Sequence, residues 1–162
     1  MKMFTTLFTS VAILACSNAL AADPKATIDA LDARLAKIGA PKIEGTEKTG
    51  EVVAPVMFFG TRKINNNFDV VDEIKKTTGA TATVFVKNGE EFTRVSTNIL
   101  TPEGKRGVGT NLARAKAYAA VSKGEKFCGP VDVLGTPFDA CYNPIMDKAG
   151  AVIGVTYIGF KK

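Results

Sequence analysis

The chain has 162 residues, a formal net charge of +5 and no histidine. Without histidine, Ser-His-Asp triads, Cys-His pairs and histidine metal sites are excluded. The basic residues are dispersed, with no run longer than two, whereas nucleic-acid binding usually needs a clustered basic patch. The composition therefore argues against a nucleic-acid partner, and a mildly positive surface would instead attract small anions.

The N-terminal segment, residues 1–21, has the pattern of a secretory signal peptide: a basic start, an apolar run and small residues before the cleavage site. The apolar run is too short to span a bilayer, and no other segment reaches 18 apolar residues, so no membrane span is predicted for the mature chain. The alternative is lipoprotein processing at Cys16, since the preceding Ile-Leu-Ala resembles such a site. The mature chain, residues 22–162, has the size of one domain. The signal-peptide pattern predicts that this domain is periplasmic or secreted.

Two helices are predicted in the first half of the mature chain. Residues 24–38 are amphipathic, with Asp23 as N-cap and Gly39 as a stop signal. Residues 68–77 place acids first and lysines last, as the helix dipole favours. The segment 40–66 between them shows no regular pattern and is expected to be irregular, although its run VVAPVMFF is apolar enough to be buried.

The second half of the mature chain predicts strands. Residues 81–87 and 91–98 flank Asn88-Gly89, a strong hairpin signal, and this turn would place Phe85 opposite Phe92 and Thr83 opposite Arg94. After a loop, residues 111–123 read as a helix capped by Thr110 and stopped by Gly124.

Three further strands follow, over residues 126–133, 138–145 and 151–160, with DKAG turning the chain into the last. The order of elements predicts an α+β domain with a five-stranded antiparallel sheet and short flanking helices.

The two cysteines of the mature chain, Cys128 and Cys141, are predicted to form a disulfide. A hairpin centred on Leu134-Gly135 places them directly opposite each other, where their Cβ atoms lie close enough to bridge. Export supplies the oxidising environment that such a bond needs. A zinc site needs more ligands, and no CxxC motif is present.

Sequence motifs for phosphate binding or catalysis are missing. GTEKTG has the glycine spacing of a phosphate loop, but Glu51 and Val52 stand where Lys and Ser or Thr are needed. No spacing of carboxylates nominates a catalytic pair. We therefore expect a protein that is not an enzyme, and no metal or cofactor is predicted.

Several segments in order carry a family resemblance: TGATATVF, FTRVSTN, LGTPF, YNPIMDKAG and VIGVTYIGF. Together they resemble a Cache sensor domain of the single-Cache, Cache 3/Cache 2 fusion type, over about residues 55–160. The resemblance implies a PAS-like fold, with a long N-terminal helix along a central sheet, and an extracytoplasmic sensor of small molecules. We expect residues 22–54 to form the N-terminal helix and connection, and residues 55–162 the Cache domain in a free-standing secreted form.

Candidate ligand-binding residues are Arg94, Ser96, Thr97, Lys126, Asp139 and Tyr142. Arg94 is the sharpest, because a guanidinium matches a carboxylate and because the resemblance places RVST on a strand bordering the pocket. Lys126 would face Asn143 with Asp139 on the same side, and Tyr142 would lie with Phe127 and Phe138 on the greasier face. A buried aromatic is more often core than ligand site. The alternative for Arg94 is a structural ion pair or a solvent-facing position on the strand.

The sequence thus predicts a ligand-binding sensor in signal transduction or chemotaxis-like sensing. The expected ligand is a small organic acid or amino acid: an anion if Arg94 and Lys126 line the pocket, a zwitterion if Asp139 joins them. A membrane receptor or a second copy of the chain is the expected partner. The alternative is a secreted structural or interaction protein with a vestigial pocket.

Overall fold

The structure is a computed structural model that describes residues 22–162. The predicted signal peptide and the alternative lipidation site at Cys16 lie outside the described residues. Within the described part of the chain, no helix is long and apolar enough to cross a membrane.

Helix α1 spans Pro24–Ile38, as the sequence predicts. The Asp23 side chain caps it by accepting a hydrogen bond from the Lys25 amide at 2.9 Å. Ile28, Leu31 and Leu35 are buried on one side, so the apolar stripe fixes which face packs on the protein. Within residues 22–162 the helix is no longer than this, and the long N-terminal helix that the resemblance implies is not confirmed.

The prediction of an irregular segment over residues 40–66 is wrong, because this part of the chain forms a small antiparallel sheet. Its strands are β1 (Pro41–Thr49), β2 (Val52–Phe59) and β3 (Arg62–Lys63), in the order β1-β2-β3. Strand β1 is exposed along nearly its whole length, so it lacks the alternation of apolar and polar residues that marks a strand in sequence. A register shift between Ile43 and Thr46 disturbs the pattern further.

Helix α2 spans Asp69–Thr78 and agrees with the prediction to within one residue at each end. It ends at Gly79, whose positive φ of 78° gives the left-handed conformation that closes many helices. Val70, Val71 and Ile74 are buried and join α1 in covering one face of the main sheet.

The main sheet has five antiparallel strands, which confirms the predicted fold class. Its strands are β4 (Thr81–Asn88), β5 (Glu91–Thr97), β6 (Phe127–Val133), β7 (Thr136–Met146) and β8 (Val152–Lys161). They lie in the order β5-β4-β8-β7-β6. The last strand of the chain is therefore central, and the β6–β7 hairpin forms one edge.

The predicted register of the β4–β5 hairpin is wrong. Asn88 pairs with Glu91, so Gly89 and Glu90 form the two-residue loop, and Arg94 lies opposite Phe85 instead of Thr83. Gly89 has a φ of 63°, which suits the first central position of such a loop. A bulge then shifts the pairing, and beyond it Thr83 lies opposite Thr97.

The helix predicted over residues 111–123 is shorter in the structure. Helix α3 spans only Lys116–Ser122, because the preceding residues run alongside β5. The Arg94 amide donates to the Thr110 carbonyl at 2.8 Å, and the Leu112 amide donates to the Phe92 carbonyl at 2.9 Å. These hydrogen bonds compete with the first turn of the predicted helix and displace its start.

The main sheet separates two apolar cores. One face, with Ala82, Val84 and Ile158, packs against α1 and α2. The opposite face carries the aromatic residues Phe85, Tyr142 and Tyr157, and α3 covers part of it. This second face holds the cavity described below.

Candidate ligand-binding site

A cavity of about 500 Å³ opens between β6, helix α3 and the segment that leads into α3. This volume is in the range of small-molecule sites. Its buried lining residues are Arg94, Leu112, Ala117, Val133 and Tyr142. Phe127, Val131 and Leu134 add partly buried apolar walls, while Lys116 and Asp132 lie exposed at the edge.

The Arg94 side chain is the one buried charge in this lining, with 3% of its surface exposed. Its Nη1 donates to Thr110 Oγ1 at 2.8 Å and to the Asn111 carbonyl at 3.2 Å. The guanidinium carbon lies 4.8 Å from the centre of the Phe85 ring, within the range of a cation–π contact. These neutral partners orient the guanidinium but do not balance its charge.

No carboxylate of residues 22–162 forms an ion pair with Arg94. Its buried Nε has no hydrogen-bond partner among these residues. Burial lowers the pKa of the Arg94 guanidinium from its ordinary value, yet an arginine stays protonated in proteins. The structure therefore holds a buried positive charge next to a cavity, with no anion among residues 22–162 to neutralise it, which contradicts a structural ion pair within this part of the chain.

Two tyrosines lie on the same face of the sheet. Tyr142 on β7 pairs with Tyr157 on β8, and their ring centroids are 4.9 Å apart. Burial raises the pKa of both phenols, that of Tyr157 to about 12, so both are neutral at physiological pH. Of the two, only Tyr142 lines the cavity, where its hydroxyl adds hydrogen-bonding capacity beside Arg94.

The comparison with protein families settles the family. A profile described as the Cache 3/Cache 2 fusion domain matches residues 13–162. The chain belongs to this family. Cache domains are generally extracytoplasmic small-molecule sensor domains. The match begins upstream of residues 55–160, the range over which the sequence segments show the resemblance. The comparison with curated proteins gave no match.

In this Cache domain, Ser96 and Thr97 lie near Arg94 in sequence but outside the cavity lining. The Ser96 hydroxyl donates to the Asn67 carbonyl at 2.6 Å. The Thr97 hydroxyl lies 2.6 Å from that of Thr83. Because of the bulge in β5, Ser96 pairs with Val84 and turns toward the face that α2 covers. Their role in ligand binding stays a prediction, and neither residue lines this cavity.

Lys126 and Asp139 also lie outside the lining of this cavity. Lys126 precedes β6, so its predicted pairing with Asn143 is wrong, and its Nζ lies 3.9 Å from the Asp29 carboxylate of α1. Asp139 forms an exposed ion pair with Lys162 at 3.0 Å. Ligand binding by these two residues stays a prediction, and Arg94 and Tyr142 are the predicted site residues that the structure brings together.

On the opposite face of the sheet, a polar cluster fixes α1. The Asp32 carboxylate accepts hydrogen bonds from Asn143 Nδ2 and from the Thr156 hydroxyl, both at 2.6 Å. Asn143 and Thr156 are paired neighbours on β7 and β8. Burial raises the pKa of the Asp32 carboxyl above its ordinary value, although both hydrogen bonds act in the other direction.

The predicted disulfide is confirmed. Cys128 and Cys141 are bonded, with their Cα atoms 4.1 Å apart. They lie opposite each other in the β6–β7 ladder, in the register that the position of the turn predicts. Leu134 and Gly135 both have positive φ, 52° and 82°, as the turn of a two-residue hairpin requires.

The apolar lining of the cavity was not predicted. Leu112 and Ala117 both fall within the segment predicted as one continuous helix. In the structure Leu112 precedes α3 and Ala117 lies in it, and the sequence pattern does not show this boundary. The partners of Arg94, Thr110 and Asn111, were missed for the same reason. Their contact depends on pairing with β5, across 18 residues of sequence, which local patterns do not encode.

Proposed function

We propose that this Cache domain binds a small molecule carrying a carboxylate, an organic acid or an amino acid, in the cavity beside Arg94. The observation that carries the proposal is the buried guanidinium that lines the cavity and has no acidic partner among residues 22–162. A carboxylate is the anion whose geometry matches the planar fork of donors on an arginine.

Energetics support this assignment. Burying a charge without a counter-ion costs several kcal/mol even after relaxation. Two hydrogen bonds and a contact with the Phe85 ring offset part of this cost, but they leave the net charge in place. A bound carboxylate would neutralise it in surroundings of low dielectric constant, where the attraction between opposite charges is strongest.

The biological role that fits a Cache domain is sensing in the periplasm or outside the cell, with the signal passed to a membrane receptor or through a homodimer. The disulfide supports an oxidising compartment. Intact mass of the exported protein tests this localisation: we expect a chain that starts at Ala22, whereas a lipidated Cys16 would establish the lipoprotein alternative. A chain that retains residues 1–21 would contradict export with cleavage.

The test of ligand binding is a thermal-shift screen of the purified protein against organic acids and amino acids. A ligand at a hundred-fold excess over its dissociation constant should stabilise the fold by about 2.7 kcal/mol. Hits are then measured by titration calorimetry with wild type and with Arg94→Met, which keeps most of the side-chain volume and removes the charge.

We expect Arg94→Met to fold and to lose carboxylate binding. The matched control is Arg34→Met, because Arg34 is exposed, pairs with Glu73 on α2 and does not line the cavity. Carboxylate affinity that is unchanged in Arg94→Met would remove Arg94 from the site. If no carboxylate stabilises the wild-type protein, the vestigial-pocket alternative is favoured instead.

A further inference from the structure

The buried end of the cavity contains one charge, and it is positive. Arg94 and Tyr142 lie there with Leu112, Ala117 and Val133, all buried. The acidic residue in the lining is Asp132, which is exposed at the edge. One of its carboxylate oxygens already accepts a hydrogen bond from the Gly135 amide at 2.9 Å, across the hairpin turn.

From this distribution we infer that the site selects a monocarboxylate with an apolar tail, and discriminates against amino acids and dicarboxylates. The inference rests on the proposed function, because it assumes that the ligand carboxylate binds beside Arg94. It adds the chemistry of the rest of the ligand.

An α-amino acid is disfavoured because its ammonium group lies next to its carboxylate. In a ligand bound at Arg94, this ammonium would lie close to the buried guanidinium, and like charges repel strongly where water is excluded. The neighbouring polar groups do not compensate. Asn111 is neutral, and each of its oxygens accepts one hydrogen bond, the side-chain oxygen from the Thr93 hydroxyl and the carbonyl oxygen from Arg94. The carboxylate that would neutralise an ammonium is missing from the buried lining of the cavity.

A second carboxylate is disfavoured for a different reason. The partly buried walls are formed by Phe127, Val131 and Leu134, which offer contact area but no side-chain hydrogen-bond donors, and the side-chain amide of the lining, Asn111, is exposed to water. A charged group placed there would lose its hydration without replacement. An apolar tail, in contrast, would bury its surface against the same walls. The other cation of the lining, Lys116, is exposed to water and gives little net attraction.

A matched series of six-carbon ligands tests the inference by calorimetry on the purified protein. Hexanoate presents a carboxylate and an apolar tail, norleucine adds an α-ammonium, and adipate replaces the terminal methyl group by a second carboxylate. We expect hexanoate to bind at least about ten-fold more tightly than either of the others. Arg34→Met, which lies outside the cavity lining, should leave hexanoate affinity unchanged.

The possible outcomes separate this inference from the proposed function. If norleucine or adipate binds as tightly as hexanoate, and Arg94→Met abolishes that binding, the inference is overturned while the proposed function stands. If adipate binds more tightly and Lys116→Ala removes the advantage, the exposed lysine belongs to the site and the inference is likewise overturned. If none of the three ligands binds and no other carboxylate does, both fail.

Discussion

Reduction of the Cys128–Cys141 disulfide should destabilise the protein substantially without changing its fold. The bond closes a loop with a sequence separation of 13. In the chain-entropy model, opening a loop of this size restores freedom to the denatured chain worth about 3 kcal/mol. In the folded state little should change, because six registered residue pairs besides Cys128 and Cys141 hold β6 and β7 together.

Urea unfolding with and without a phosphine reductant measures this difference. For a slope of about 1–3 kcal/mol per M, the midpoint should fall by about 1–3 M. The control is the double variant Cys128→Ala/Cys141→Ala, whose midpoint should not respond to the reductant. If thiol titration shows full reduction but the wild-type midpoint is unchanged, the reasoning is refuted. The bond would then not be what limits the conformational freedom of the denatured chain.

Two further predictions concern single residues. Because burial raises the pKa of Asp32, the folded state binds the carboxyl proton more tightly than the unfolded chain does. Protonation of Asp32 therefore stabilises the folded state at low pH, and this contribution to the free energy of unfolding is lost as pH rises through the folded-state pKa. Relative to Asp32→Asn, wild type should therefore lose stability in urea unfolding as pH rises above the ordinary aspartate pKa of 3.8; a pH-independent difference would contradict this. Gly154→Ala should cost about 1–3 kcal/mol, because its Cβ would lie under 3.0 Å from the Phe85 carbonyl oxygen. The control, Gly129→Ala, meets only the end of a side chain at 3.3 Å and should change stability little; equal losses would show that the close approach at Gly154 is not the cause.

The elements that the sequence predicts well are those with strong local signals. Asn88-Gly89, Leu134-Gly135 and the DKAG turn divide the second half of the chain into strands. The structure has a turn at each of them, although the first is shifted by one residue to Gly89-Glu90, and the position of the disulfide could be worked out from a turn centre. Helix α1 is equally well defined, because its cap and its apolar stripe agree with each other.

The features that could not be predicted depend on distant partners. Strand β1 is a mostly exposed, charged segment that is extended because it pairs with β2. Residues 110–112 resemble the start of a helix but bond to β5. The bulge in β5 cannot be read from its apolar pattern, and it decides on which face of the sheet each residue from Ser96 onward lies.

The candidate site shows the same division between residue type and placement. Arg94 could be nominated from its chemistry together with the family resemblance, and it lines a cavity in the structure. Lys126 and Asp139 could be nominated in the same way, but they lie away from this cavity. Side chains alternate along a strand, so an assignment to the site needs the face of the sheet as well as the residue type.

This alternation gives the disulfide a second consequence beyond stability. On β7, Tyr142 lines the cavity while the adjacent Asn143 bonds to Asp32 on the opposite face. Because β7 is also paired with β8, a slip of one residue in the β6–β7 pairing would move the edge strand β6 and turn its Val131 and Val133 side chains away from the cavity. Cys141 directly precedes Tyr142, and its bond to Cys128 locks the pairing at this point. The covalent link therefore holds β6, which forms one wall of the cavity, in register with β7.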